Sequence, residues 1–129
     1  MKRATVLFLI LLAADAREKE AALLQQAAAL AAKQANPLQH SEPAARAGAK
    51  LFAHECAACH GARREGSQKA PPLDRADVRR APPGALFWVL RNGALRHGMP
   101  SFAHLPELER WQIVTFLQEV PEAKSRSQP

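Results

Sequence analysis

Cys56-Ala57-Ala58-Cys59-His60 holds both cysteines of a 129-residue chain. Two thiols with two residues between them, followed at once by an imidazole, form the C-x-x-C-H pattern of c-type haem attachment. The chemistry demands this spacing. Two thiols must reach two vinyl groups on one porphyrin edge, and the next residue must bring an imidazole beneath the iron. Both intervening residues are alanine, small enough for a helical turn to lie against a flat ring. Three rival readings stand beside it. A Cys56–Cys59 disulfide acting as a redox pair belongs in a βαβ context, and no stretch of this chain alternates like a strand. Structural zinc needs four ligands, whereas Cys56, Cys59 and either His54 or His60 offer three and no second cysteine pair exists. A chance match is the third, and with only two cysteines in the chain it is the weakest.

An iron held by His60 needs a sixth ligand. Met99 lies in Gly98-Met99-Pro100, and the only other methionine is the initiator. A lone methionine is more often a flexible filler of apolar gaps. Its place in a Gly/Pro loop, rather than on an apolar helical face, favours ligation. His97, two residues upstream, is the rival, with His104, His54 and His40 more distant ones.

Outward from the motif, the composition points to one small domain that needs help with its core. The chain has five Phe, two Trp and no Tyr, and its apolar share of 47% leans on alanine. A domain of about 80 residues built this way is marginal from burial alone. A large flat apolar cofactor would complete it.

The net charge is +6. It falls to +5 from Arg17 onward, where 16 basic residues face 11 acidic ones. Most of the excess lies between Arg46 and Arg96, with ten basic and four acidic residues. Such a patch suits an acidic protein partner, an anionic membrane or nucleic acid, and solvated arginines in an Arg/Ala/Pro-rich chain need no partner at all. Redox proteins with acidic docking surfaces are the partners expected here, with no nucleic acid, and a membrane only if the N-terminal segment is retained.

Residues 1–16 read as a secretory signal: Lys2 and Arg3, a short apolar stretch over 6–14, then small residues at 14 and 16. The apolar run is about ten residues, well under the roughly 20 that span a bilayer. Cleavage after Ala16 and a periplasmic location are expected, with an uncleaved anchor as the alternative. Export agrees with the motif, since bacteria attach haem covalently outside the cytoplasm. Residues 18–35 contain neither Gly nor Pro and should be helical, with a thin stripe of Leu23, Leu24 and Leu30. A helical spacer over 17–43 is the expected role, and a docking element the alternative.

The domain proper is expected over 44–121. Ser41 can cap a helix starting at residue 43 or 44, on which Gly48, Leu51 and Phe52 share a face. A second helix is predicted over 83–91, stopped by Asn92-Gly93, and a third over 106–120, bounded by Pro121. On the third, Ile113, Phe116, Leu117 and Val120 form one buried stripe, and Leu108 and Trp111 fall on another side, so more than one neighbour should cover the helix. The turns over 61–73 and 93–105 are long for a compact domain unless something organises them. Residues 122–129 read as a disordered tail.

These motifs together resemble the class I, single-haem c-type cytochromes, particularly the cytochrome c domains of the cbb3-oxidase-subunit type. The resemblance covers residues 44–120. It rests on Gly48-Ala49-Lys50-Leu51-Phe52, Cys56 to Gly61, Ala70-Pro71-Pro72-Leu73, Leu86 to Gly93, Gly98-Met99-Pro100-Ser101-Phe102 and Glu109-Arg110-Trp111. It implies an all-α small cytochrome c fold, three main helices with long loops wrapped round one covalent haem c. It also implies that the first and last helices cross at Gly48, with Phe52 packing on Phe116 where relatives often have Tyr. A proline carbonyl, of Pro71 or Pro72, should accept a hydrogen bond from His60 Nδ1–H, and Arg91 should either meet a haem propionate or face solvent. Relatives often begin the last helix with Ser or Thr, where this chain has Leu105-Pro106. With protein ligands on both faces of the iron no substrate position remains, so electron transfer is expected rather than catalysis. The carrier role has one alternative, a dedicated cytochrome subunit of a larger periplasmic dehydrogenase or oxidase complex.

Overall fold

The computed structural model describes residue 22 and residues 25–119. The expected signal at 1–16, the tail at 122–129, and Leu23, Leu24 and Val120 lie outside them.

Helix α1, Glu42–Glu55, starts where Ser41 Oγ accepts the Ala44 N–H at 3.3 Å, with Pro43 in the first turn. Ala44, Gly48 and Phe52, four residues apart, are its buried line. Without a break in the chain it passes into a single turn, α2, Ala57–His60. Gly61, at φ 83°, stops that turn by taking a backbone shape other residues resist. A short α3, Ala76–Arg80, precedes α4, Pro83–Asn92, and a 3₁₀ turn follows over Leu95–His97. The last helix, α5, is Glu107–Gln118. Among the described residues there is no strand, only an isolated antiparallel bridge between Ala94 and Met99. The fold is all-α, as expected, with α1, α4 and α5 the main helices and two one-turn helices added between them.

Helix α5 is the centre. Trp111, Ile113, Val114, Thr115 and Leu117 are all buried, so neighbours cover it on most sides. On one side it crosses α1 at Gly48, where a Cβ would stand 2.0 Å from the Gln112 carbonyl oxygen and 2.9 Å from Phe116 Cβ. Only glycine allows backbones this close. Phe52 and Phe116 meet beside the crossing with ring centroids 5.4 Å apart. On the other side Trp111 stacks on Phe87 of α4, centroids 4.1 Å apart and planes 16° from parallel. Leu108 is not covered along with Trp111: it is 56% exposed, on the outer side of the first turn. The buried place there belongs to Arg110.

The segment before α1 is helical over 25–32 and then packs on the domain. Asn36, 7% exposed, donates from Nδ2 to Thr115 Oγ1 at 2.9 Å and accepts the Leu38 N–H on Oδ1. Gly84 of α4 lies so near that a Cβ would fall 1.8 Å from the Ala31 carbonyl oxygen. Residues 31–38 therefore belong to the packed body, inside the stretch expected to be spacer. Composition hid this because the anchoring groups are an asparagine side chain and backbone, not apolar bulk. Among the described residues no helix is long and apolar enough to cross a membrane.

Candidate haem site

The motif sits where α1 gives way to α2. The Cys56 carbonyl accepts both the Cys59 N–H at 3.1 Å and the His60 N–H at 3.0 Å, which winds the five residues into one turn. Cys56 is buried at the end of α1, while Cys59 is exposed one turn later, and the two are not joined in a disulfide. Burial, then the carboxylate of Glu55 and the neighbouring Cys59, push the Cys56 thiol up to about 11. A thiol held protonated at neutral pH is a poor attacking thiolate. Among the described residues no three His, Cys, Asp or Glu side chains gather to hold a metal ion. Thioether formation leaves the sulfur uncharged and suits a buried position.

The loop after the motif folds back onto it. Gly66 N–H donates to the His60 carbonyl at 2.7 Å, and Ser67 Oγ to the Cys59 carbonyl at 2.6 Å, satisfying the open end of α2. The Arg64 carbonyl accepts the Leu73 N–H at 2.8 Å. Its guanidinium lies 4.8 Å from the Phe116 ring centroid and donates to the Phe116 carbonyl at 3.4 Å. A cation thus covers one face of the ring that stands where relatives often have Tyr. This bracing delivers the Pro71 carbonyl to His60 Nδ1 at 2.8 Å. A carbonyl can only accept, so Nδ1 carries the proton and the lone pair lies on Nε2. Pro71 makes the bond; Pro72 does not.

The second loop is built as a narrow reverse turn. Ala94 and Met99 exchange backbone hydrogen bonds at 3.0 and 3.2 Å around the 3₁₀ turn, and Gly98 closes it in the left-handed region at φ 82°. Beyond Met99 the chain is tied to α4 twice, by the Phe102 N–H to the Leu90 carbonyl at 2.8 Å and by Ser101 Oγ to the Arg91 carbonyl at 2.6 Å.

Between the two loops lies a cavity of about 580 Å³. Cys56, Cys59, His60, Pro71 and Met99 all line it, and so does His97. Its walls are mainly apolar, among them Phe52, Leu73, Leu90, Phe102, Ile113 and Leu117. Arg91 does not line it. Its side chain is exposed and only its backbone is engaged, by Ser101. The charged groups that do line it, Lys69 and Glu55, were not singled out from sequence. Lys69 stands directly before Ala70-Pro71, so its place in the motif was the available signal. His54, His104 and His40 are elsewhere: His54 Nδ1 pairs with Glu55 at 2.8 Å, His104 packs near Phe102, and His40 lines a separate polar cavity with Asn36, Arg79 and Gln118.

A mainly apolar slot with two thiols at one end, an imidazole in a fixed tautomer and a thioether in a braced loop fits a flat apolar macrocycle with a metal at its centre. Such a site in an all-α shell defines a small c-type cytochrome domain. The chain belongs to the family of cytochrome c oxidase, cbb3-type, subunit III, whose family model matches residues 43–117. No match was found to a curated protein or to a solved structure. Membership brings haem c as the cofactor, electron transfer as the class of function and redox proteins as the class of partner.

Proposed function

We propose that this chain is a periplasmic electron carrier with one haem c per chain. Cys56 and Cys59 would hold the haem through thioethers, and His60 and Met99 would be the ligands of its iron. The observation that carries this reading is the Pro71 carbonyl at 2.8 Å from His60 Nδ1, which leaves Nε2 as a basic, oriented donor. A single cysteine pair in the chain supports the count of one. For the sixth position, Met99 is half-buried in its braced turn, while His97 in the same turn is exposed. The haem supplies a one-electron Fe(III)/Fe(II) couple, and a thioether ligand favours the ferrous side. The residues contribute the rest: two fixed ligands leave no substrate position, and the apolar wall keeps water from the iron.

The family's own description, a subunit of an oxidase, favours a second reading, that the chain serves inside a larger complex. The packed segment at 31–38 would then orient the helix before it for docking. In either setting the basic excess over residues 46–96 suits partners with acidic faces. Export is supported by the pattern over 1–16. N-terminal sequencing of protein from a periplasmic fraction should begin at Arg17, and a start at Met1 in the membrane pellet would favour an anchor.

The ligand pair decides the reading. Met99→Ala should abolish the far-red Met–iron charge-transfer band, open the ferric iron to added imidazole and lower the reduction potential. His97→Ala should leave all three nearly as in the parent. If His97→Ala is the variant that opens the iron, the site is bis-histidine and the carrier a low-potential one.

A further inference from the structure

We propose that Arg110 is a positioning residue for the sixth iron ligand: a buried cation that fastens the end of the 93–105 loop to α5 and so holds Met99 in the cavity. The inference rests on reading Met99 as the ligand.

Arg110 lies in the first turns of α5 and is 8% exposed. Arginine is almost never so buried unless paired. Among the described residues no carboxylate pairs with Arg110, and its Nε is buried with no hydrogen-bond partner. A buried charge without a counter-ion is unfavourable. What it does touch is one piece of chain. Nη1 donates to the Ala103 carbonyl at 3.1 Å and to the Leu105 carbonyl at 3.0 Å. The guanidinium carbon also lies 5.1 Å from the centroid of Phe87, the ring stacked on Trp111, where the cation meets the negative face of an aromatic.

Those two carbonyls fall between the ligand loop and α5, at the point where the chain lacks an ordinary cap. Pro106 precedes the helix and offers no side-chain hydrogen bond. Ser, Thr, Asp or Asn there would fix the entry angle of the chain. Arg110 does it from inside the helix, by gripping the carbonyls of Ala103 and Leu105. The Leu105 N–H donates to the Phe102 carbonyl at 3.1 Å, and the Phe102 N–H to Leu90 on α4. Phe102 and Met99 both line the cavity. The grip therefore reaches the cavity wall through one short turn, and the two carbonyls share one charged donor. Releasing it leaves only the ties of Ser101 and Phe102 to α4 to hold the loop, so the sixth position is exposed for a larger share of the time.

The test uses the full haem-loaded chain as parent, Arg110→Met and Arg110→Lys. Two readouts are taken: amide hydrogen exchange over residues 94–105, and imidazole titration of the ferric protein followed by loss of the Met–iron band. Imidazole binds only the open form, so its apparent affinity reports the open fraction. Losing two charge-assisted hydrogen bonds should tighten apparent imidazole binding about tenfold or more. Exchange at the Met99 and Phe102 amides should quicken together, with helical content unchanged. Arg110→Lys, which keeps the charge and can still donate, should recover a large part of both. Exchange and imidazole affinity equal to the parent in Arg110→Met would overturn the proposal. Should that variant fail to fold, Arg110→Gln takes its place under the same criteria. The two readings fail separately: a parent without the Met–iron band removes Met99 as ligand, and unchanged loop exchange removes Arg110 as tether.

Discussion

Replacing Gly48 with alanine tests whether the α1–α5 crossing shapes the site. A Cβ there would stand 2.0 Å from the Gln112 carbonyl oxygen, where 3.0 Å is the least that real side chains show, so the helices must part by about an ångström. The obstruction is backbone, with Phe116 Cβ at 2.9 Å beside it, and neither can rotate away. Overpacking of this kind costs typically 1–3 kcal/mol, and a clash against two rigid groups belongs at ~3. Alanine returns about 1 kcal/mol through its higher helix propensity. The net loss is then ~2 kcal/mol, or a fall in Tm of roughly 8–16 °C for a domain of this size. The sign carries the test, since at an open helical position the same change stabilises. Thermal unfolding of the haem-loaded protein, followed by its helical circular dichroism, measures it. The visible spectrum should respond too, because Phe52 on α1 and Ile113 and Leu117 on α5 are cavity walls. An equal or higher Tm would refute the close approach and the placement of those walls with it.

Two other perturbations probe the site and its support. Cys56→Ala/Cys59→Ala should lose the haem that otherwise survives denaturing electrophoresis, and the chain should lose its helical spectrum with it; a normal helical spectrum would show that the cofactor is not part of the core. Asn36→Ala removes the donor to Thr115 and the acceptor for Leu38, at a cost of about 1–3 kcal/mol for buried hydrogen bonds. Limited proteolysis should then cut within residues 31–41 well before the rest of the domain, and unchanged protection would show that this segment is held otherwise.

How much of this was legible in sequence depended on what kind of contact was involved. The motif and the Ser41 cap were readable because each is a local rule, a fixed spacing and a hydroxyl before a helix, whereas the Gly48 crossing came only with the family resemblance. The ends of the three main helices moved by only a residue or two, whereas the helix expected over 18–35 stops at residue 32. Arg91, at the end of α4, has the exposed side chain that one of its two readings gave it, whereas Lys69, in the loop one residue before the Ala70-Pro71 pair, lines the cavity without having been singled out. A side chain's direction in a loop depends on the hydrogen bonds of that loop, and Ser67 and Arg64 set them here from positions without a spacing rule. Asn36 was invisible for a related reason. Its partner Thr115 is 79 residues away, and two polar side chains leave no hydrophobic period to read. Leu108 misled in the opposite direction, since period alone does not say which of two apolar faces meets a neighbour.

The core and the cofactor site are the same object in this fold. Phe52, Cys56, Leu90, Phe102, Ile113 and Leu117 belong to the buried apolar cluster, and all six also line the cavity. A chain rich in alanine, without tyrosine and with seven large aromatic side chains in all, spends most of its apolar bulk on a shell rather than on a solid centre. Two consequences follow from that shared wall. Stability and redox behaviour should be coupled, because moving any of these six side chains changes both the packing and the dielectric around the iron. Tuning of the site should come instead from two polar clamps, the Pro71 carbonyl on one loop and the Arg110 guanidinium at the end of the other. Those clamps can be altered without emptying the core, so under the proposed His60/Met99 ligation the two halves of the site would be tuned apart, one through the basicity of His60 and the other through the hold on Met99.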